Sequence, residues 1–262
     1  MPEKKKDITA AQRTRRWDGG VEAINDAGNV AAIFDILAVW GKKLDLDMEG
    51  YNSLSDANKT LVNAAIYAGI GVGGYASREA LADVAEPIIS KRVIVERTLH
   101  LINSVSEAAR YPVLLEQYGQ WLGVLDIDLT DFNRLLEGTP TTIEPAADAT
   151  GKWAVYEAIY DDIPYASEDD LKTAFDEAVL AELTNQAIAV VNAADNAVKM
   201  SSALLTYADV LEIDVSEDSD YAELEPEKQL LVLEAMVYDQ PYDDAEAIKT
   251  AFEAAVAAQK EE

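Results

Sequence analysis

The chain has 262 residues, with 49 acidic against 21 basic residues, no cysteine and a formal net charge of −28. This acidity argues against nucleic-acid binding, because phosphate neutralisation needs clustered Lys and Arg, and the lack of cysteine excludes disulfides, a thiolate nucleophile and Cys-ligated zinc. Hydrophobic residues make up 49% of the chain, which is enough for a folded core. No apolar run reaches the roughly 18 residues of a membrane span, so we expect no membrane insertion.

Residues 1–20 differ in charge from everything that follows. They hold six basic and three acidic residues, a local charge of +3. Because the whole chain carries −28, residues 21–262 together carry −31. We predict that this basic arm is an anchor that docks on an acidic protein lattice, an anionic cell-wall polymer or a partner subunit. The alternative is a disordered arm, or one lying on the protein's own acidic surface. The anchoring residues are Lys4, Lys5, Lys6, Arg13, Arg15, Arg16 and Trp17, the last as an apolar plug.

After the arm, the same order of features occurs three times. Each round starts with an apolar residue followed by Asn, which we expect to open a helix, and continues with two apolar residues alternating with acidic ones. An aromatic residue, a leucine three positions later and a second helix follow. The starting pairs are Ile24-Asn25, Ile102-Asn103 and Val191-Asn192; the alternating stretches are 44–47, 125–128 and 211–214; the aromatic and leucine pairs are Tyr51 and Leu54, Phe132 and Leu135, Tyr221 and Leu224.

A turn ends each second helix, and a third helix begins beyond it. Ser77, Ser167 and either Asp243 or Asp244 are the predicted N-caps of these third helices. From Ser167 to Val210 there is no Gly or Pro, which predicts one continuous helix of roughly 65 Å at 1.5 Å per residue. The matching segment from Ser77 to Gly119 holds Pro87 and Pro112, and of these we expect Pro112 to kink or break the helix.

These patterns predict an all-α fold, an elongated array of three repeats of about three helices, in which long helices are shared between neighbours. The predicted domains are the arm, 1–20, and repeats at 21–96, 97–183 and 184–262. The second repeat carries an insertion at 137–151 that lacks apolar periodicity and contains Thr and Pro, so we expect a surface loop there.

The recurring string resembles a known kind of repeat. It comprises L-D-L-D, an aromatic residue, Leu, Lys, A-I-Y, P-Y-x-S and L-x-x-A-F-x-E-A-V, the last at 171–179 and, varied, at 248–256. It is similar to the Ala-rich three-helix repeats in surface proteins of Gram-positive bacteria and in phage virion proteins, over about residues 21–258. The resemblance implies a spacer or assembly module with a structural role, and it identifies no ligand.

Two motifs invite a chemical interpretation. Gly69, Gly71 and Gly74 satisfy the G-x-G-x-x-G of a dinucleotide loop, but they follow a helix instead of a strand, so we predict a turn. The acidic stretch 45–56 imitates an EF-hand loop, with candidate calcium ligands Asp45, Asp47, Glu49 and Asp56. However, Asn52 replaces the usual apolar residue in the middle of the loop, and the equivalent stretch of the second repeat loses the glycine of the sharp turn. We therefore favour a short buried connection, no metal and no cofactor; calcium is the open alternative.

We expect structural roles for the histidine, the paired carboxylates and the aromatic residues. His100 is the single histidine, so it forms neither a multi-His metal site nor a recognisable catalytic pair, and we expect a packing or surface role. Carboxylate pairs such as Asp161-Asp162 recur too widely to indicate acid–base chemistry. Aromatic residues at helical spacing fill cores, although exposed stacking surfaces are the alternative. This applies to Trp17, Trp40, Trp121, Trp153, Tyr67, Tyr160 and Tyr238.

Together these features predict a non-enzymatic structural or attachment protein on the surface of a large assembly. We favour a phage virion component, such as a capsid decoration or head-fibre-like protein, located on the virion surface and bound to lattice or capsid subunits. The sequence shows no secretion signal, which a virion protein does not need. The alternative is a spacer or binding repeat on the bacterial cell surface or surface layer (S-layer), with calcium as a further option. A homo-oligomer is compatible with both.

Overall fold

The computed structural model describes residues 19–71, 73–114, 127–138 and 149–261. Within these ranges all regular secondary structure is helical, which confirms the predicted all-α class. Residues 19–25 are helical, and 3-10 turns occur at Ala108–Arg110 and Phe132–Arg134. The further helices are α1 (Val30–Trp40), α2 (Met48–Ser53), α3 (Asp56–Gly69), α4 (Arg78–Asn103), α5 (Lys152–Asp161), α6 (Glu168–Asn192), α7 (Ala197–Tyr207), α8 (Pro226–Tyr238) and α9 (Ala245–Glu261).

The chain divides into two compact units. The first comprises Met1–Ser104 and Gly119–Leu125, and the second Val105–Tyr118 and Asp126–Glu262. In the first unit α3 packs against α1 and α4, around a core that includes Ile24, Ile33, Leu37, Ile66 and Leu81. In the second unit α5 packs on α6, and α8 contacts both α7 and α9. The division into three repeats remains a prediction.

The predicted helix starts of the third helices are confirmed. The hydroxyl of Ser77 accepts a hydrogen bond from the N–H of Ala80, and Ser167 accepts one from Asp170. Of the two aspartates proposed for the last helix, Asp244 is the cap, because its carboxylate accepts from the N–H of Ala247 at 2.7 Å. Each cap satisfies a backbone donor that has no partner inside its helix.

The alternating apolar and acidic stretches at 44–47 and 211–214 are short buried connections, as predicted; residues 125–126 of the stretch at 125–128 lie outside the described residues. Leu44 and Leu211 are fully buried, and Leu46 and Ile213 nearly so. The acidic residues between them, Asp45 and Glu212, are exposed and both adopt the left-handed conformation, with φ of 62° and 52°. That backbone turn sends successive apolar side chains into the core and the carboxylates into solvent.

The apolar–Asn pairs end helices, and the prediction that they open helices is wrong. Residues 19–25 end at Asn25, α4 ends at Asn103 and α6 ends at Asn192. The reason is a long-range contact that local periodicity does not encode. The side-chain amide of Asn192 donates to the carbonyl of Tyr242 and accepts from its N–H, both at 2.8 Å.

Asn25 makes the same pair of bonds with Tyr75. Its amide donates to the Tyr75 carbonyl at 3.0 Å and accepts from the Tyr75 N–H at 2.7 Å. We call this two-bond arrangement, at Asn25–Tyr75 and Asn192–Tyr242, the Asn–Tyr clasp. It connects the end of a helix to the turn that precedes the third helix of the same predicted repeat.

The continuous helix predicted from Ser167 to Val210 is also wrong. It is divided into α6 and α7, because the Asn196 side chain caps α7 by accepting from the N–H groups of Val198 and Lys199. The amide of Gln240 donates to the carbonyls of Val191 and Ala194 at the end of α6. Backbone groups on both sides of the break therefore have hydrogen-bond partners, although the break contains neither Gly nor Pro.

The prediction that Pro112 kinks or breaks the helix that follows Ser77 is also wrong. The helix α4 continues through Pro87 and ends at Asn103, well before Pro112. Pro112 lies in the helical residues 111–114, where a first turn tolerates the missing N–H. Of the predicted insertion 137–151, residues 137–138 and 149–150 are outside helices, and residues 139–148 lie outside the described part of the chain.

Removing one clasp should destabilise the second unit measurably. We expect Asn192→Ala to lower the free energy of unfolding by about 1–3 kcal/mol, because the N–H and C=O of buried Tyr242 lose their partners. Urea unfolding followed by circular dichroism measures this. Asn185→Ala, an exposed position of the same helix, is the control and should change stability by less than about 0.5 kcal/mol; equal losses in the two variants would contradict a stabilising clasp.

Candidate functional site

The predicted anchor lies outside the described residues. Residues 1–18, which include Lys4, Lys5, Lys6, Arg13, Arg15, Arg16 and Trp17, are not among them. Their role in attachment therefore stays a prediction that rests on charge.

The candidate calcium ligands occupy separate structural positions. The carboxylate of Asp47 caps α2 by accepting from the N–H of Gly50 at 2.8 Å. Asp45 lies 3.7 Å from the guanidinium of Arg78, and Asp56 lies 4.0 Å from the ammonium of Lys59. Glu49 is exposed in the first turn of α2. Among the described residues no group of three or more carboxylate or histidine side chains is arranged to hold a metal ion.

The glycine motif forms a turn, as predicted. Gly69 ends α3, and Gly71 and Gly74 have φ of +51° and +67°. A side chain at Gly74 would meet the amide of Asn25 at 2.8 Å, so glycine here lets the turn close onto the Asn–Tyr clasp. In the described part of the chain there is no strand for a dinucleotide loop to follow.

The tyrosines of the turns are buried, and those of the second helices are not. Tyr75, Tyr165 and Tyr242 are each 7% exposed, and their hydroxyls donate to the carbonyls of Ile66, Ile159 and Met236. In contrast, Tyr67 is 37% exposed and Tyr238 is 88% exposed, so the prediction that they fill the core is wrong. Tyr67 lies one position after buried Ile66 and Tyr238 two positions after buried Met236, so the helix period turns both away from the buried face.

The two tryptophans in the described residues, Trp40 and Trp153, are partly buried. Trp40 lies under the ammonium of Lys43, which is 4.4 Å from the ring centroid, and Trp153 meets Tyr156 edge-on at 5.6 Å. Trp17 and Trp121 lie outside the described residues, and His100 is exposed on α4, as a surface role requires.

An aromatic cluster in the second unit is neutral at physiological pH. Tyr111 stacks on Tyr156 with 6.4 Å between ring centroids, and Tyr156 contacts Phe132 at 5.8 Å. Burial raises the pKa of Tyr111 and of Tyr156 to about 12. Desolvation of the phenols in the packed cluster is the main cause of both shifts.

A pocket that sequence reasoning missed lies in the second unit, between α9 and the connection that follows α7. Its volume is about 390 Å³. The floor is apolar, because Phe252 and Val256 are buried and Tyr221 contacts Phe252 at 5.4 Å between ring centroids. The remaining lining residues are Asp214, Asp220, Glu253, Ala257 and Lys260. We call this site the acidic pocket.

The acidic pocket already holds one ammonium group. Lys260 donates from Nζ to Oδ1 of Asp220 at 2.5 Å, and this pairing raises the pKa of Lys260. A sequence signal for the pocket exists: seven positions separate Asp214 from Tyr221, whereas four separate Asp47 from Tyr51. The longer connection replaces the compact helix α2 that occupies the matching place in the first unit.

No protein-family model, curated protein or solved structure matches the chain. Among the described helices, none combines the length and the apolarity needed to cross a bilayer.

Chelation should leave the protein unchanged. Since the carboxylates of Asp45, Asp47 and Asp56 each face a different partner, we expect the melting temperature in 5 mM EDTA and in roughly 5 mM calcium chloride to agree within about 1 °C. Differential scanning calorimetry measures this, with magnesium chloride as the ionic-strength control. A calcium-specific rise of several degrees would restore the calcium hypothesis.

Proposed function

We propose that this chain is a non-enzymatic structural and attachment protein, built as an array of helical repeats and held by its basic arm on the surface of a large assembly. In its specific form the proposal is a phage virion component, such as a capsid decoration or head-fibre-like protein. The observation that carries the proposal is the recurrence of one set of structural contacts at matching sequence positions.

Three contacts support the repeat array. The Asn–Tyr clasp spans 50 positions both at Asn25–Tyr75 and at Asn192–Tyr242. The buried turn tyrosine donates to a carbonyl of the preceding helix in all three predicted repeats. The same internal contacts at matching positions are what a repeated helical module predicts.

A third recurring contact closes the connection before the second helix. The carboxylate of Glu96 accepts from the N–H of Ser55 at 2.9 Å, and the amide oxygen of Gln186 accepts from the N–H of Leu136 at 3.0 Å. Ser55 and Leu136 each follow the recurring leucine, Leu54 or Leu135. The long helices α4 and α6 thus use corresponding residues to hold corresponding loops.

The polar chemistry of the described residues supports a structural role. Arg134, for example, donates to both carboxylate oxygens of Asp209, at 2.6 and 3.0 Å, and to the carbonyl of Thr206 at 3.1 Å. The hydrogen bond from Arg134 lowers the pKa of Asp209. This pair fixes the 3-10 turn Phe132–Arg134 to the end of α7, so its shifted pKa has a packing explanation.

Attachment should depend on the charge of the arm. We expect a full-length variant with Lys4, Lys5, Lys6, Arg13, Arg15 and Arg16 changed to Gln to bind purified virions of the source at least tenfold more weakly than the unaltered chain, because several charge pairs are lost together. Co-sedimentation followed by mass spectrometry of the crosslinked partners measures this.

The matched control neutralises six exposed basic residues outside the arm: Lys42, Lys43, Lys91, Arg97, Arg110 and Lys199. It should bind as the unaltered chain does. Equal virion binding by both six-site variants would refute anchoring by the arm. Capture of cell-wall material by both, with no virion protein, would favour the bacterial surface alternative.

A further inference from the structure

We infer that the acidic pocket of the second unit is a docking site for the basic arm, residues 1–18, of a second copy of this chain. The inference rests on the proposed role of the arm in attachment and names a partner for it. It would make the protein able to associate head to tail, since a heterologous contact joins two different surfaces of identical chains.

The shape and chemistry of the pocket fit a basic segment that carries an aromatic residue. Its floor is formed by Phe252, Val256 and the ring of Tyr221, whereas the carboxylates of Asp214, Asp220 and Glu253 line its walls. A cationic side chain with an apolar stem buries the stem on such a floor and keeps its charge near the carboxylates. An indole ring is of the size that a cavity of about 390 Å³ admits.

The arm is the segment of this chain with the complementary charge. Residues 1–18 hold the six basic residues Lys4, Lys5, Lys6, Arg13, Arg15 and Arg16 against three acidic ones, and they end in Arg16-Trp17-Asp18. The rest of the chain carries a large negative charge, so two copies repel each other except where an arm meets an acidic surface. Electrostatic complementarity of this kind favours the encounter and fixes the partner surface.

Lys260 shows that the pocket accepts a cation. Its ammonium lies on Asp220 at 2.5 Å, although its side chain remains 43% exposed. An arriving lysine or arginine would compete with this internal ammonium for the same carboxylate. Lys260 therefore limits the affinity of the pocket for the arm.

The matching place in the described part of the first unit is built differently. There the helix α2 buries Met48 and Tyr51, and the carboxylate of Glu86 accepts from the N–H of Asp47 at 2.7 Å. Glu86 corresponds to Glu253, because each lies 11 positions after its turn tyrosine, Tyr75 or Tyr242. The seven-position connection from Asp214 to Tyr221 separates these elements in the second unit and leaves the pocket open.

The test measures binding of a fluorescein-labelled peptide of residues 1–18 by anisotropy. The receptor is the full-length chain in which the six arm cations are changed to Gln, so that its own arm does not compete. We expect Asp220→Asn with Glu253→Gln to weaken peptide binding about fivefold, as the loss of two exposed charge pairs predicts. The control, Glu217→Gln with Asp218→Asn, removes the same charge from the same connection outside the pocket and should change binding less than twofold.

A second pair of variants tests the competition by Lys260. Lys260→Gln should strengthen peptide binding about two- to threefold, whereas Lys199→Gln, an equal charge change at an exposed site on α7, should leave it unchanged. Equal effects of the pocket and control variants, or no peptide binding at all, would overturn the inference. An arm that binds virions but not this pocket would sink the inference alone, whereas an arm that binds neither would sink the proposed function as well.

Discussion

The fold depends on the side chains that form hydrogen bonds with backbone groups at the helix ends and in the turns. The Asn–Tyr clasp satisfies both the N–H and the C=O of a turn tyrosine with one side-chain amide, and the phenol of that tyrosine reaches a carbonyl of the preceding helix. Asn, as donor and acceptor at once, is suited to this double bond. One residue pair thereby fixes where a helix ends, how the chain turns and where the next helix begins.

The sequence predicted what local chemistry determines. The N-caps at Ser77 and Ser167 follow from a hydroxyl placed before a helix with acidic residues in its first turn, and the buried pairs Leu44 and Leu46, Leu211 and Ile213 follow from alternation. The breaks at Asn25 and Asn192 were not predictable in this way, because the partners that stabilise them lie 50 positions further along. Helix periodicity continues across the break between Asn192 and Ala197, which explains the overlong predicted helix.

The calcium-like stretch and the acidic pocket also differ in how far the local sequence predicts them. The acidic stretch 45–56 has the residue pattern of a calcium loop, but three of its carboxylates have separate partners. One caps α2, one lies near Arg78 and one lies near Lys59. The acidic pocket has no motif, since its lining combines residues of α9 with Asp214, Asp220 and Tyr221 from the connection that follows α7. Only the longer spacing between Asp214 and Tyr221 marks it in the sequence. Charge, in contrast, is visible directly, and it separates the basic arm from the acidic helical part.

The central claim is that the same clasp closes the helix ends in both compact units. Hydrogen exchange of the backbone amides of Tyr75 and Tyr242, followed by NMR, tests it most directly, because each N–H is donated to an asparagine side chain. The account predicts that both amides are protected far above the rate of an unfolded peptide and that Asn25→Ala and Asn192→Ala each remove protection at their own tyrosine. Exchange of either amide at the unfolded rate in the unaltered protein would contradict it.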